Sequence, residues 1–224
     1  MKSKEEMIIE TARLVDPHNI TDYELSLPRL QERLLFWIAA ANNDAHTAAK
    51  GLYRFLITID GYERPFETIK KQNMQRLSEL LRTSGIGKYT RKARAFHEAA
   101  TCGLDLYDCS VDELETIYGV GMKTARCFVM HSRKDANVAA LDTHIKKGLR
   151  KLGHPVPSGT LGRNEYLKWE KVLQGYMKQT GMSAAENDLA WWRAYKKGLA
   201  PTKSQLLDKE WLRKQLKVVR DKNN

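Results

Sequence analysis

The sequence of 224 residues has few cysteines and no long apolar segment. Its three cysteines, Cys102, Cys109 and Cys127, are too few for a disulfide framework, so we expect reduced thiols in a reducing compartment. The longest apolar run, residues 34–41, has eight residues, whereas a membrane-spanning helix needs about 20. The charged N-terminal stretch MKSKEEMIIE is unlike a signal peptide. We therefore expect no membrane partner and no export.

Glycine and proline are also scarce, at 14 and 6 residues, while 42% of the residues are hydrophobic. This composition excludes collagen-like repeats and disordered low-complexity chains. Positive charge is in excess, because the chain has 38 Lys and Arg but only 27 Asp and Glu, which gives a net charge of +11. The excess predicts a polyanionic partner, with nucleic acid first and an anionic membrane second; a merely soluble basic surface is the third interpretation.

Apolar residues recur at spacings of three and four along almost the whole chain, and no alternating stretch is long enough for a strand. The sequence therefore predicts an all-α fold. Pro28 marks a helix start, and the S-x-x-E pattern at Ser110 and Ser183 marks two more. Predicted helices cover residues 4–15, 28–41, 44–58, 73–83, 88–101, 110–119, 122–132, 143–152, 164–180 and 184–198, followed by a basic C-terminal helix or tail over 201–224.

The most informative stretch is residues 114–153, which reads as a short helix, a Gly-Val-Gly turn at 119–121 and a second helix. Gly119 and Gly121 permit a positive φ or a close backbone approach. The amides of this turn, including Val120, and those that open the following helix can hold a phosphate without reading sequence. A plain turn between two helices gives the same pattern, so the turn alone does not decide the function.

Two ionisable residues follow the turn. Lys123 lies in the first turn of the second helix, where the helix dipole disfavours its ammonium form and favours a nucleophilic amine. Asp142 begins the next helix, and residues 133–141 are long enough for the chain to return, so its carboxylate can lie beside the amine. The ordinary roles of these two residues are a phosphate-neutralising cation and a helix N-cap.

The motif GVGMK at 119–123 and ALDTH at 140–144 place Lys123 and Asp142 19 positions apart. This pattern resembles the helix-hairpin-helix (HhH-GPD) DNA glycosylase superfamily, whose signature is a hairpin, a glycine- and proline-containing loop and a catalytic aspartate. In its bifunctional members a lysine occupies the place of Lys123, and the aspartate occupies that of Asp142. The resemblance covers residues 28–198.

Two flanking segments extend the resemblance toward 8-oxoguanine DNA glycosylases. IAAANNDAHTAAKGL resembles their Asn-rich turn near the opposite strand, which assigns that contact to Asn42 and Asn43. NDLAWWRAYKKG resembles the terminal helix of the bacterial and archaeal branch, where an aromatic residue stacks on the extruded base. That role goes to Trp192, with Trp191 as the other candidate. The family's usual proline before the aspartate is absent, since residues 138–141 are Val-Ala-Ala-Leu.

No cofactor or metal is required by the resemblance. The four-cysteine iron–sulfur cluster of the endonuclease III branch is excluded because no cysteine follows Cys127. A zinc site from Cys102, Cys109, His131 and His144 lacks the usual finger spacing. The segment GKYTRKARAFH places basic residues on or beside one helix, as a patch that follows the DNA backbone or as a solvated helix face. These residues are Lys88, Arg91, Lys92 and Arg94.

The resemblance implies a two-domain, all-helical enzyme. One domain covers residues 30–135, the other combines 1–29 with 136–200, and the lesion pocket lies in the cleft between them. The implied activity is that of a bifunctional DNA glycosylase/AP lyase of base excision repair, acting on an oxidised purine with 8-oxoguanine as the first candidate. Oxidised pyrimidine or another modified base is the alternative substrate, and a non-catalytic helix-hairpin-helix DNA-binding module is the alternative class.

The implied partner is double-stranded DNA that contains a damaged base, bound by a monomer. The implied location is intracellular, with the DNA: the cytoplasm and nucleoid, or the nucleus if the source is eukaryotic.

Overall fold

The computed structural model describes the backbone of residues 20–217 and the side chains of residues 20–216. Within this range every regular element is a helix and there is no strand, which confirms the predicted all-α class. The helices are α1 (Leu27–Ala40), α2 (Ala45–Thr58), α3 (Pro65–Lys70), α4 (Met74–Thr83), α5 (Tyr89–Thr101), α6 (Val111–Leu114), α7 (Met122–Ser132), α8 (Thr143–Lys151), α9 (Arg163–Thr180), α10 (Ala184–Lys196), α11 (Lys203–Leu207) and α12 (Lys209–Lys217). The helix predicted over residues 4–15 lies outside the described residues.

The capping signals act as the sequence predicts. Ser110 and Ser183 each accept a hydrogen bond from the backbone N–H three residues on, and the Glu at that position bonds back to the cap N–H. One helix is shorter than predicted, since α6 ends at Leu114 rather than near residue 119. The chain from 116 to 120 continues in tight turns instead, in which the N–H groups of Thr116, Ile117 and Val120 bond three residues back. The short helix α3 was not predicted.

The chain divides into two compact units, Met1–Phe128 and Val129–Asn224. In the first unit, a hydrogen bond of 3.3 Å from the Tyr107 hydroxyl to the Leu25 carbonyl ties residues before α1 to the loop after α5. In this division residues 20–29 belong to the first unit, and the assignment of residues 1–29 to a domain with 136–200 stays a prediction. For residues 1–19 that assignment lies outside the described residues, and the cleft between two domains stays a prediction.

The first unit is built around α5, which packs against α1, α3 and α4. Its inward face carries Phe96, which is fully buried and meets the buried Phe55 of α2 edge to face, with ring centroids 5.6 Å apart. Burying such aromatic pairs stabilises the unit through both area and ring geometry. The opposite face of α5 is exposed and basic, because Arg91 and Arg94 lie on it and the exposed Lys88 is the N-cap residue just before the helix.

In the second unit α10 packs against α8, α9 and α12. The C-terminal segment docks here as two helices, with Leu206 and Leu212 fully buried and Arg193 donating to the Leu216 carbonyl over 2.7 Å. The predicted basic helix or tail is therefore helical and packed on the second unit as far as residue 216. None of the helices in the described range has the length and apolar character that a membrane crossing requires.

Gly148 of α8 is where the second unit is packed most closely. A Cβ atom there would lie 2.5 Å from Cε3 of Trp191, a side chain that is 1% exposed and cannot move aside. We expect Gly148→Ala to cost about 1–3 kcal/mol of unfolding free energy from overpacking, reduced by up to about 1 kcal/mol from helix propensity. Urea denaturation measures this cost.

Gly175 of α9 is the matched control, because it is also helical and an added Cβ meets nothing within 4 Å. Gly175→Ala should leave the free energy of unfolding unchanged or raise it by up to about 1 kcal/mol. Equal effects of the two substitutions would contradict the packing of α8 on Trp191.

Candidate functional site

The hairpin formed by α6, residues 115–121 and α7 has the predicted glycine turn. Gly119 has φ +78°, in the left-handed region that favours glycine, and a Cβ there would lie 3.2 Å from Cβ of Ala95 on α5. Gly121 is exposed with open space around it, and its carbonyl accepts the Ala125 N–H over 3.0 Å. The amides of the first turn of α7 thus open toward a surface that a phosphate can reach.

The environment of Val120 differs from the one expected for an amide that contacts a phosphate. Its side chain is buried, and its N–H donates to the Ile117 carbonyl over 3.0 Å. Because this amide already bonds within the turn, Val120 contributes packing rather than a donor for phosphate. Donors for a phosphate at this turn are therefore expected from Gly121 onward.

Two ion pairs hold the hairpin in place. On α5, Glu98 accepts the Tyr118 N–H over 2.8 Å and pairs with Arg94, also over 2.8 Å. The Arg94 guanidinium lies over the Tyr118 ring, 4.0 Å from its centroid. The hydrogen bond to Arg94, and to a smaller degree the one from the Tyr118 N–H, keep the pKa of Glu98 below its ordinary value. Sequence analysis missed Glu98, although its spacing of four from Arg94 is the usual signal of a helical ion pair.

The second ion pair joins the two arms of the hairpin directly. Arg126 of α7, only 3% exposed at its side chain, meets Glu115 over 2.7 Å. It also donates to the Met122 carbonyl over 3.2 Å. Removing one member of such a buried pair would leave an uncompensated buried charge and destabilise the hairpin.

Lys123 is the second residue of α7, in the first turn where the sequence placed it, and its side chain is exposed. Its place in the first turn follows from the hairpin, because Gly121 ends the turn and Met122 begins the helix. The side chain is therefore positioned next to the amides that could bind a phosphate. This arrangement can present an amine to a sugar whose phosphate is held beside it.

Asp142 precedes α8 and accepts the Ile145 N–H over 2.7 Å, which makes it the N-cap of that helix. The loop before it is held from α9: Glu170 accepts the Ala139 N–H, and the Tyr166 hydroxyl accepts the Leu141 N–H, each over 2.9 Å. These buried bonds fix the approach to Asp142 without the proline usual in the resembled family. Neither α9 residue was predicted, because both act across 25 or more positions of sequence.

The two tryptophans of α10 have different environments. Trp191 is 1% exposed and packs on Gly148, so it belongs to the core. Trp192 is half-buried; its ring lies 6.4 Å from that of His144, edge to face, and the Lys196 ammonium lies 5.0 Å from its centroid. Of the two candidates, Trp192 is the more exposed.

His144 lies on α8 between two aromatic residues of α10. It stacks on Tyr195 with ring centroids 6.3 Å apart and meets Trp192 edge to face. Burial raises the pKa of Tyr195 above its ordinary value. Asp142, His144 and the aromatic face of α10 therefore occupy one part of the second unit.

Asn42 and Asn43 form the turn between α1 and α2. Asn42 is exposed with φ +55°, and Asn43 is half-buried with its side-chain oxygen accepting the Asp44 N–H over 2.9 Å. Asp44 in turn caps α2 by accepting the Thr47 N–H over 3.0 Å. The turn is thus ordered by its own side chains, and Asn42 remains open to solvent.

The predicted basic patch at α5 has three exposed members, Lys88, Arg91 and Arg94. Lys92 is not at the surface: it is 6% exposed and donates to the Ala39 carbonyl of α1. Burial, and to a smaller degree the charge of Lys88, lowers its pKa to about 8. Arg94 is exposed but engaged with Glu98 and Tyr118.

The structure provides no candidate metal centre in the part of the chain it describes, where no three His, Cys, Asp or Glu side chains cluster with ligand geometry. Cys102 is exposed, and Cys109 and Cys127 are buried; none of the three is in a disulfide.

Solved structures of DNA glycosylases share this architecture. The 8-oxoguanine DNA glycosylase of Thermotoga maritima is 23% identical, with 86% of this chain and 88% of that chain covered and a TM-score of 0.60. The 8-oxoguanine glycosylase/lyase of Methanocaldococcus jannaschii, in complex with a 15mer DNA containing 8-oxoguanine, is 20% identical, with coverage of 90% and 94% and a TM-score of 0.59. This chain has the fold of these DNA glycosylases.

The glycosylase fold extends to a more distant structure. Endonuclease III in a non-covalent complex with DNA is 23% identical, with 77% of each chain covered and a TM-score of 0.52. No protein-family model and no curated protein matches the sequence. The likeness therefore rests on the arrangement of helices, which agrees with the fold that the hairpin and aspartate motifs predicted.

The depressed pKa of Lys92 predicts a pH dependence of stability. Between about 8 and 10.5 the unfolded chain holds the proton that the folded chain has lost, so this group makes the free energy of unfolding rise with pH. Below pH 8 both states are protonated and the full cost of burying the charge is present. Lys92→Met should lack this rise, which can reach about 1.4 kcal/mol per pH unit.

Urea denaturation of wild type and Lys92→Met at about pH 7.5 and about pH 10 isolates the contribution of Lys92, because all other groups titrate alike in the two proteins. The difference in unfolding free energy, wild type minus Lys92→Met, should increase at the higher pH. A difference that stays constant would show that Lys92 is solvated.

Proposed function

We propose that this protein is a bifunctional DNA glycosylase/AP lyase of base excision repair, with 8-oxoguanine as its first candidate substrate. The observation that carries the proposal is the exposed Lys123 in the first turn of α7, directly after a glycine turn held rigidly against α5. A passive DNA-binding hairpin needs the turn but not this amine. The proteins from Thermotoga maritima and Methanocaldococcus jannaschii that share the fold are an 8-oxoguanine DNA glycosylase and an 8-oxoguanine glycosylase/lyase. Their activity supports the proposed substrate class.

The DNA-binding surface in this proposal combines backbone amides with exposed cations. Gly119 shapes the turn, Gly121 and the amides after it bind a phosphate, and Lys88 and Arg91 follow the backbone. The net charge of +11 supports a polyanionic partner. Backbone contacts of this kind position the protein on double-stranded DNA without reading its sequence. Asn42 and Asn43 contact the opposite strand.

The proposed chemistry begins with extrusion of the damaged nucleotide, because the glycosidic bond is inaccessible within the duplex. The base stacks on Trp192. The neutral amine of Lys123 attacks C1′ of the deoxyribose, the C1′–N bond breaks, and the base leaves with the bonding electrons and takes up a proton. Asp142 assists by electrostatic support of the positive charge that develops on the sugar.

The Lys123 adduct then opens to a Schiff base. Loss of a proton from C2′ expels the 3′ phosphate by β-elimination and nicks the strand, after which water releases the lysine. No metal or organic cofactor takes part in these steps. We propose that the protein acts as a monomer, inside the cell, on duplex DNA that contains a damaged base.

Borohydride trapping tests the covalent step. Wild type should be trapped on a duplex that contains 8-oxoguanine, and Lys123→Gln should abolish trapping because no amine remains to form the Schiff base. Asp142→Asn should slow trapping by about 10²–10⁴-fold while the fold is kept, since Asn also caps a helix well. The measurement is the rate at which a covalent protein–DNA band appears.

Lys171→Gln, at an exposed position of α9, is the control and should be trapped at the wild-type rate. Duplexes with an oxidised pyrimidine, and undamaged duplexes, define the substrate. Ordinary duplex binding without trapping on any lesion would reject the enzyme in favour of a passive hairpin module.

The salt dependence of binding tests the backbone contacts separately. The logarithm of the association constant should fall linearly with the logarithm of salt concentration, by about 0.9 for each phosphate neutralised. Arg91→Gln should lower this slope by about 1, because an exposed phosphate contact is lost. Fluorescence anisotropy measures both values, and Lys171→Gln should retain the wild-type slope. A flat salt response would rule out the DNA-binding surface.

A further inference from the structure

Lys92 is a buried cation that the proposed chemistry does not use. Its side chain is 6% exposed, and its Nζ donates to the carbonyl of Ala39. That carbonyl belongs to the last turn of α1, where the final four carbonyls of a helix have no partner within the helix. Since Ala39 is fully buried, water does not reach this oxygen and a protein donor must satisfy it.

The end of α1 has no cation of its own. Its last turn contains no basic residue. The neighbouring carbonyls bond locally, since the Ala41 N–H donates to Trp37 and Ile38 and the Asn43 N–H donates to Ala40. The Ala39 carbonyl is instead bonded from α5, 53 positions away in sequence. The Lys92 ammonium thus meets the negative end of the α1 dipole, where a cation is favourable.

The chain leaves α1 in a demanding conformation. Asn42, three residues after Ala39, has φ +55°, a left-handed conformation that most residues with a side chain avoid and that asparagine adopts more readily. Asn43 then turns its side-chain oxygen onto the Asp44 N–H over 2.9 Å. A loosened helix end would allow Asn42 to relax, so the shape of the turn depends on a firmly bonded last turn of α1.

We propose that Lys92 is a positioning residue that holds the Asn42–Asn43 turn in its DNA-binding shape by bonding the last turn of α1. This inference rests on the proposed function for the role of the turn on DNA, while the bond itself is a feature of the fold. Lys92 takes this internal role in place of the backbone contact that the sequence predicted for it.

A double-mutant cycle on DNA affinity tests the coupling. The probe is a duplex that contains a tetrahydrofuran abasic analogue, and the variants are Lys92→Met, Asn43→Ala and both together in the full chain. Each single substitution should weaken binding by roughly threefold to tenfold, because each removes the same ordered contact. The double variant should have a DNA affinity no lower than that of the single variant that binds DNA less tightly, since the two residues act through one turn.

Amide hydrogen exchange tests the structural half without DNA. In Lys92→Met the amides of Ala41 and Asn43 should exchange at least about tenfold faster, as local opening becomes easier. Leu77→Ala is the control for general destabilisation, because it leaves a cavity at a fully buried side chain of α4. It should not speed exchange at Ala41 and Asn43 more than at other amides. If Lys92→Met does not fold, exchange in Lys92→Gln decides the same point.

Two results would overturn the inference: unchanged exchange at Ala41 and Asn43, or losses of affinity that add in the double variant. Wild type that neither binds the duplex nor is trapped by borohydride would reject the proposed function and the DNA half of the inference. In that case faster exchange in Lys92→Met would still establish that Lys92 holds the turn.

Discussion

The hydrogen bond from the Tyr118 N–H to the Glu98 carboxylate determines where the glycine hairpin lies in the first unit. Glu98 is held by Arg94, whose guanidinium also covers the Tyr118 ring, so one turn of α5 fixes the residue directly before Gly119. A carboxylate that accepts a backbone N–H and a guanidinium together is a strong, directional anchor. The first turn of α7, with Lys123, begins a few residues beyond it.

The same helix organises two more features that the proposed function uses. Lys88 at its N-cap and Arg91 in its first turn are exposed, and one position further on Lys92 turns inward to the end of α1. A single α5 therefore presents cations outward, holds the hairpin through Glu98 and supports the asparagine turn from within. Such rigid positioning of loops by a helix is what binding geometry demands, because flexible loops would have to be ordered on binding.

Much of the fold was predictable from the sequence because its signals are local. Helical spacing, two S-x-x-E capping boxes and the Gly-Val-Gly turn each act within a few residues, and the structure confirms them. Asp142 as the start of a helix was predictable for the same reason. Contacts across long stretches of sequence were not: Tyr166 and Glu170 reach back to the loop before Asp142, and Lys92 reaches to Ala39.

The environment of each side chain was the other limit of prediction. Lys92 and Arg91 are neighbours in a basic run, yet one is buried and the other exposed, since a helix turns by about 100° per residue. Trp191 and Trp192 differ for the same reason, one fully buried and one half-buried. Composition cannot make this distinction, because it depends on which face each helix buries.

The central claim is that the amine of Lys123 forms the covalent bond to the sugar of the damaged nucleotide. Peptide mapping by mass spectrometry of the borohydride-reduced protein–DNA adduct tests it most directly. We expect a single modified peptide with the deoxyribose remnant on Lys123. A remnant on another amine, such as Lys88, Lys146 or the N-terminus, would contradict it.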